Sequence, residues 1–89
     1  MITVRIPALW RVEAGLAQVE VEARDLQAAL AALAARCPRL SARLFAADGG
    51  LNQSVQLFIN REAIRYHGGF GAPLKDGDEI YIVPMLSGG

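Results

Sequence analysis

With 89 residues the chain has length for one small domain, which buries about 60–65% of the surface its unfolded form exposes. Nine basic and nine acidic side chains cancel, which excludes the basic excess that a nucleic-acid partner requires and leaves little repulsion between copies near neutral pH. A hydrophobic fraction of 53% excludes disorder, and a single cysteine, Cys37, excludes an intrachain disulfide or a thiolate metal cluster.

Ile2, Val4 and Ile6 alternate with Thr3 and Arg5, the period of a half-buried strand, and Pro7 ends it. The same opening has no charged region followed by a long apolar run, so neither a signal peptide nor a membrane span is expected, and cytoplasmic residence follows. Leu9, Trp10 and Gly15 fall in a connection with turn character. Ala17, Val19 and Val21 then alternate with Gln18, Glu20 and Glu22, and two strands this close predict a hairpin.

The period changes after Ala23. Leu26, Leu30 and Leu33, with Ala29 and Cys37 on the same side, form the apolar stripe of a helix. Asp25 stands where its carboxylate can cap the first turn, Arg36 lies in the last turn, and Pro38 stops the helix. Residues 39–45 have room for another short helical turn, and 46–50 form a loop. Val55, Leu57 and Ile59 define a third strand. Asn60-Arg61-Glu62 reads as a tight turn into a short strand over 63–66. Gly68-Gly69-Phe70-Gly71 is expected to be a loose connection, too short and wrongly placed for a phosphate loop. Asp76-Gly77-Asp78 is a turn, and it delivers a final strand over 79–84.

The predicted order is strand, strand, helix, strand, short strand, strand. One helix amid runs of strands implies an α+β domain, with a mixed sheet of about four or five strands packed on that helix. The first and last strands would lie side by side in parallel, which is the β-grasp, or ubiquitin-like, arrangement. The expected organisation is one domain over residues 1–84 and a flexible tail over 85–89 that ends in Gly88-Gly89.

That tail carries the candidate chemistry. Two glycines after the small Ser87 make the thinnest backbone available, suited to entering a narrow channel in another protein. The Gly89 carboxylate is a stable anion and a poor acyl donor at neutral pH. Attack on the α-phosphate of ATP would give an acyl-adenylate, from which a sulfur donor displaces AMP to leave a thiocarboxylate. Behind the tail, Tyr81 and Val83 point away from the helix if Ile80 and Ile82 point toward it, and Phe58 shares their face. With Met85 and Leu86 they form a candidate partner-docking patch. His67 reads as a solvated loop residue without a catalytic partner nearby in sequence, and Cys37 as a buried small hydrophobe. No acid–base pair stands out, so an independent enzyme is not expected.

The Asp76-Gly77-Asp78-Glu79 turn, the apolar last strand and the terminal Gly88-Gly89 resemble the ThiS/MoaD family of sulfur carrier proteins over essentially the whole chain. Ile6-Pro7, the Tyr66-His67-Gly68-Gly69 region and the length are most similar to the CysO type, the carriers of cysteine biosynthesis. The resemblance implies that Gly89 is adenylated and thiocarboxylated by a ThiF/MoeB-like activating enzyme using Mg-ATP. It implies sulfur transfer to a PLP-dependent cysteine synthase and release by a zinc protease of the JAMM class. Those cofactors belong to the partners, and none is expected on this chain; neither a membrane nor a nucleic acid is expected as a partner. A molybdopterin-synthase small subunit, a thiamine-type carrier and a ubiquitin-like modifier are the alternatives that the same family holds. Val83, Pro84 and Met85 replace the aromatic and Pro-Pro pair often found before the tail of molybdopterin-synthase subunits.

Overall fold

The computed structural model describes residues 1–85. Alternation builds the sheet. In β1 (Ile2–Arg5) Ile2 and Val4 are buried while Arg5 is exposed, and in β2 (Gln18–Val21) Val19 and Val21 are buried. The two strands pair antiparallel, Val4 opposite Val19, as the predicted hairpin requires. β3 (Val55–Ile59) buries every second residue, and so does β5 (Glu79–Pro84) through Ile80 and Ile82. β4 is only Glu62–Ala63. The sheet order is β2-β1-β5-β3-β4, with β1 and β5 parallel and every other pair antiparallel. This is the expected mixed β-grasp sheet.

The main helix, α2 (Leu26–Arg36), crosses the inner face. Leu26, Ala29, Leu30 and Leu33 join the inward strand residues in one buried cluster. Asp25 accepts the Ala28 N–H at 2.8 Å, the predicted cap, and such caps contribute about 1 kcal/mol. Cys37 is buried at the helix end, as the stripe implies, and Pro38–Leu40 turns the chain into α3 (Ser41–Leu44).

Three segments differ from the sequence expectation. The connection after Pro7 is helical: a 3-10 turn over Ala8–Trp10 runs into α1 (Arg11–Ala14). Gly15 closes α1 at φ 73°, donating its N–H to Arg11 O at 2.7 Å. This tight path carries Trp10 into the core at 4% exposure. The strand expected over 63–66 stops at Ala63, and Ile64–Tyr66 is a 3-10 turn closed by His67 N–H to Ile64 O at 2.8 Å. Ile64 is the last residue there with core to pack on, since Tyr66, next on that side of a strand, stays 68% exposed. The glycine-rich stretch is not loose. Gly68 and Gly69 take φ of 104° and 72°, which favour glycine, and Gly69–Gly71 forms a 3-10 turn. Phe70 packs on the core there and meets Phe45 edge-to-face at 6.3 Å.

The Asp76-Gly77-Asp78 turn ties the sheet together. Asp78 is the one buried charged residue among those described, at 6% exposure. Its carboxylate accepts Lys75 N–H at 2.9 Å and Asn60 Nδ2 at 3.1 Å, while its carbonyl accepts Thr3 N–H at 3.1 Å. Asn60, at φ 58°, returns two bonds to Glu79: its N–H donates to Glu79 O at 2.7 Å and its Oδ1 accepts Glu79 N–H at 3.1 Å. One turn thus sets the start of β5 against β1 and the β3–β4 hairpin. We expect Asp78→Ala to lower stability by about 1–3 kcal/mol, because it removes the two part-buried hydrogen bonds that the carboxylate accepts from Lys75 and Asn60. An unfolding free energy from denaturant titration lowered by less than that would show the turn to be ornamental.

Candidate functional site

Register decides which side chains meet on the outer face. Phe58 lies opposite Tyr81 and Gln56 opposite Val83 across the β3–β5 ladder, while Arg5 lies opposite Tyr81 across β1–β5. Tyr81 and Val83 are 37% and 42% exposed, and Phe58 between the strands is half-buried. The structure therefore brings these three sequence-predicted residues together on the face away from α2. Met85 is 51% exposed and follows β5, with its N–H donated to Ser54 O at 2.7 Å. It borders a groove of about 520 Å³ at the end of the sheet, shared with Leu9, Arg43, Asn52 and Pro84. Arg43 is held there by an ion pair with Glu13 of α1. Leu86, Ser87, Gly88 and Gly89, the remaining patch and tail residues, lie outside the described residues.

A polar network not anticipated from the sequence orients the patch. Tyr81 OH donates to Glu79 Oε1 at 2.8 Å, and Arg5 Nε donates to the same oxygen at 3.2 Å. The hydroxyl and the guanidinium hold the Glu79 carboxyl below the usual carboxylate range. The same bond raises the Tyr81 hydroxyl above the usual phenol range. Only spacing within β5 was visible beforehand, Glu79 and Tyr81 sharing a face; Arg5 joins them through the parallel register. The signs give an expected outcome. A depressed Glu79 contributes above its unfolded value and loses that contribution as pH falls through the folded one. A raised Tyr81 contributes below its unfolded value and loses that contribution as pH rises through the folded one. The network therefore stays intact across neutral pH. In a Tyr66→Phe background, Glu79→Gln should move the remaining phenolate absorbance titration to lower pH; an unmoved titration would contradict the network.

The other singled-out residues stand apart from this face. His67 is not a solvated loop residue: its side chain is 31% exposed and its Nε2 lies 3.1 Å from Glu62 Oε1. That nitrogen is nevertheless out of hydrogen-bonding alignment. The 3-10 turn at Ile64–Tyr66 folds the chain back so that His67 comes beside Glu62, which the sequence alone sets in the Asn60-Arg61-Glu62 turn. Among the described residues no three His, Cys, Asp or Glu side chains gather to hold a metal ion, and no helix is long and apolar enough to cross a membrane.

A parallel β1–β5 pair with α2 beneath is the β-grasp frame that the sequence resemblance implied. The family model described as the ThiS family matches residues 4–89. The chain belongs to the ThiS family. It is a ubiquitin-like β-grasp protein of the sulfur-carrier class. It is 32% identical to the sulfur carrier protein CysO of Mycobacterium tuberculosis over 91 aligned positions, covering 99% of this chain and 98% of that protein. Among solved structures, it is similar to a chain of the Amycolatopsis orientalis BexX/CysO complex at TM-score 0.88 and 30% identity, covering 100% of this chain and 100% of that one. It is likewise similar to small archaeal modifier protein 1 of Methanosarcina acetivorans at TM-score 0.90 and 30% identity, covering 99% of this chain and 95% of that one.

Proposed function

We propose that this chain is a sulfur carrier of the CysO type that works as a protein co-substrate and lends no catalytic site of its own. In this reading the Gly89 carboxylate attacks the α-phosphate of ATP on a ThiF/MoeB-like enzyme and releases pyrophosphate. Sulfide from a donor then displaces AMP and leaves the thiocarboxylate. The sulfur passes to an acceptor, a PLP-dependent synthase of cysteine biosynthesis, and a JAMM-class protease frees the product. Mg-ATP, PLP and zinc would reside on those partners. Residues 1–84 serve as the handle and the segment after β5 as the probe.

The observation that supports this most is likeness to CysO carriers over nearly the whole chain, coupled with the sequence Ser87-Gly88-Gly89 two residues beyond the end of β5. The chemistry needs a carboxylate on a backbone without side chains, presented by a rigid strand. Incubation with an activating enzyme, ATP and a sulfur source is expected to raise the mass by one oxygen-to-sulfur exchange. Retention of that reaction after deletion of Gly88-Gly89 would overturn the proposal.

A second reading, a ubiquitin-like modifier, has its own support in the likeness to small archaeal modifier protein 1. Here the same adenylate would be attacked by a lysine amine to form an isopeptide bond, with AMP leaving. Covalent ladders on a blot of the source cells would favour it, and an O-phosphoserine-dependent yield of cysteine would favour the carrier.

A further inference from the structure

One edge of the sheet is open, and its charge selects a partner. Ile6 N–H donates to Ala17 O at 2.9 Å, and the same antiparallel register sets Val4 opposite Val19 and Ile2 opposite Val21. In such a ladder every second residue exchanges its bonds with the neighbouring strand. Ala17, Val19 and Val21 therefore bond to β1, and the N–H and C=O groups of Gln18 and Glu20 point outward. No backbone hydrogen bond outside the ladders uses either residue among those described, and both are exposed. The chain covers only the continuation of this edge, where Leu26 N–H donates to Ala72 O and Leu74 N–H to Arg24 O.

Glu20 and Glu22 are the exposed acidic side chains along this edge, after the neutral Gln18 and before the basic Arg24, which stands where the chain itself covers the edge. Glu20 and Glu22 form no ion pair among the described residues. Arg5, opposite Gln18, is committed to Glu79, and Asp76, across a hollow from Glu22, is committed to the Met1 ammonium. In the register that sets Glu20 opposite Glu20, a second copy of β2 would bring like charges side by side, which destabilises a ladder. A basic strand would meet opposite charge instead.

We propose that the free edge of β2 is a strand-addition site for an extended, lysine- or arginine-bearing segment of a partner protein. Its backbone would pair with Gln18 and Glu20. Its basic side chains would lie beside Glu20 on the outer face, while alternating aliphatic residues extend the layer of Val19 and Val21. The site involves no sulfur chemistry, so its failure and the failure of the carrier reading are separable.

The test is a titration of the full-length 15N-labelled chain with the acetylated, amidated peptide Lys-Val-Lys-Val-Lys, followed by NMR. Saturable shifts are expected at the Gln18, Val19 and Glu20 amides, with slowed exchange of the Gln18 and Glu20 N–H groups. The exposed double variant Glu20→Lys, Glu22→Lys should keep its folded spectrum and bind about tenfold more weakly. A peptide with alternate amides N-methylated should not bind. Absence of saturable shifts, equal binding of Glu-Val-Glu-Val-Glu, unchanged binding of the N-methylated peptide, or self-association through β2 would each overturn the proposal.

Discussion

Replacing Gly88 with valine is expected to abolish thiocarboxylate formation while leaving the unfolding midpoint where it was. The two readouts part because the two halves of the molecule do different work. Among the described residues the buried cluster ends in β5 with Ile80 and Ile82, and glycine has no side chain to lend it packing, so the substitution at Gly88 is expected to leave that cluster in place. Activation, by contrast, would in the proposed function require the Gly89 carboxylate to meet the α-phosphate of ATP inside another protein. A β-branched side chain beside it adds width and fixes the backbone in extended conformations. Displacement of a reacting group by about 1 Å costs on the order of a hundredfold in rate, so the expected loss is roughly that much or more. The measurement is intact-mass analysis after incubation with the activating enzyme, alongside thermal unfolding. Activation of the valine variant at the rate of the unchanged chain would refute the thin-channel argument. A lowered midpoint with slow activation would place the effect in the fold instead.

What the sequence disclosed, and what it hid, follows from the range of the interactions involved. The alternation of Ile2, Val4 and Ile6, or of Ile80 and Ile82, is a local pattern set by burial on one face, and it survives into the structure unchanged. The Leu26, Leu30 and Leu33 stripe with its Asp25 cap is equally local. The parallel pairing of β1 and β5 was legible because the helix between them leaves a right-handed crossover as the simple solution. Trp10 and Phe70 were missed for a shared reason. Each sits in a short turn whose path into the core depends on left-handed glycines, Gly15 for one and Gly68 with Gly69 for the other. Arg5, Glu79 and Tyr81 illustrate the opposite case. Their types were visible, but their meeting depends on a register between residues 74 apart in sequence for the Arg5–Glu79 bond. The candidate docking face was therefore legible in its apolar part, which follows alternation, and illegible in its polar part, which follows pairing.

Placing a carboxylate at Val83 is expected to weaken binding of the activating enzyme by about 2 kcal/mol, some thirtyfold, while adenylation at saturating enzyme proceeds. Val83 is 42% exposed and follows Tyr81 on the outer face, with Phe58 beside it on β3. Exposed apolar side chains this close to a reactive tail contribute by leaving water together with a partner surface. An aspartate there must be desolvated without a ready counter-charge, since Arg5, the cation across from Tyr81, is already paired with Glu79. The folded state has little stake in the position, because Ile82 and Ile80 carry the burial of β5 at 4% and 0% exposure. Titration calorimetry on Val83→Asp, with Val83→Ala as the milder comparison, separates lost apolar area from introduced charge. The alanine variant should lose a few-fold and the aspartate variant much more. If both bind as the unchanged chain does, the outer face of β5 is not where the enzyme docks, and the groove beside Met85 and Leu9 becomes the surface that guides the tail into place.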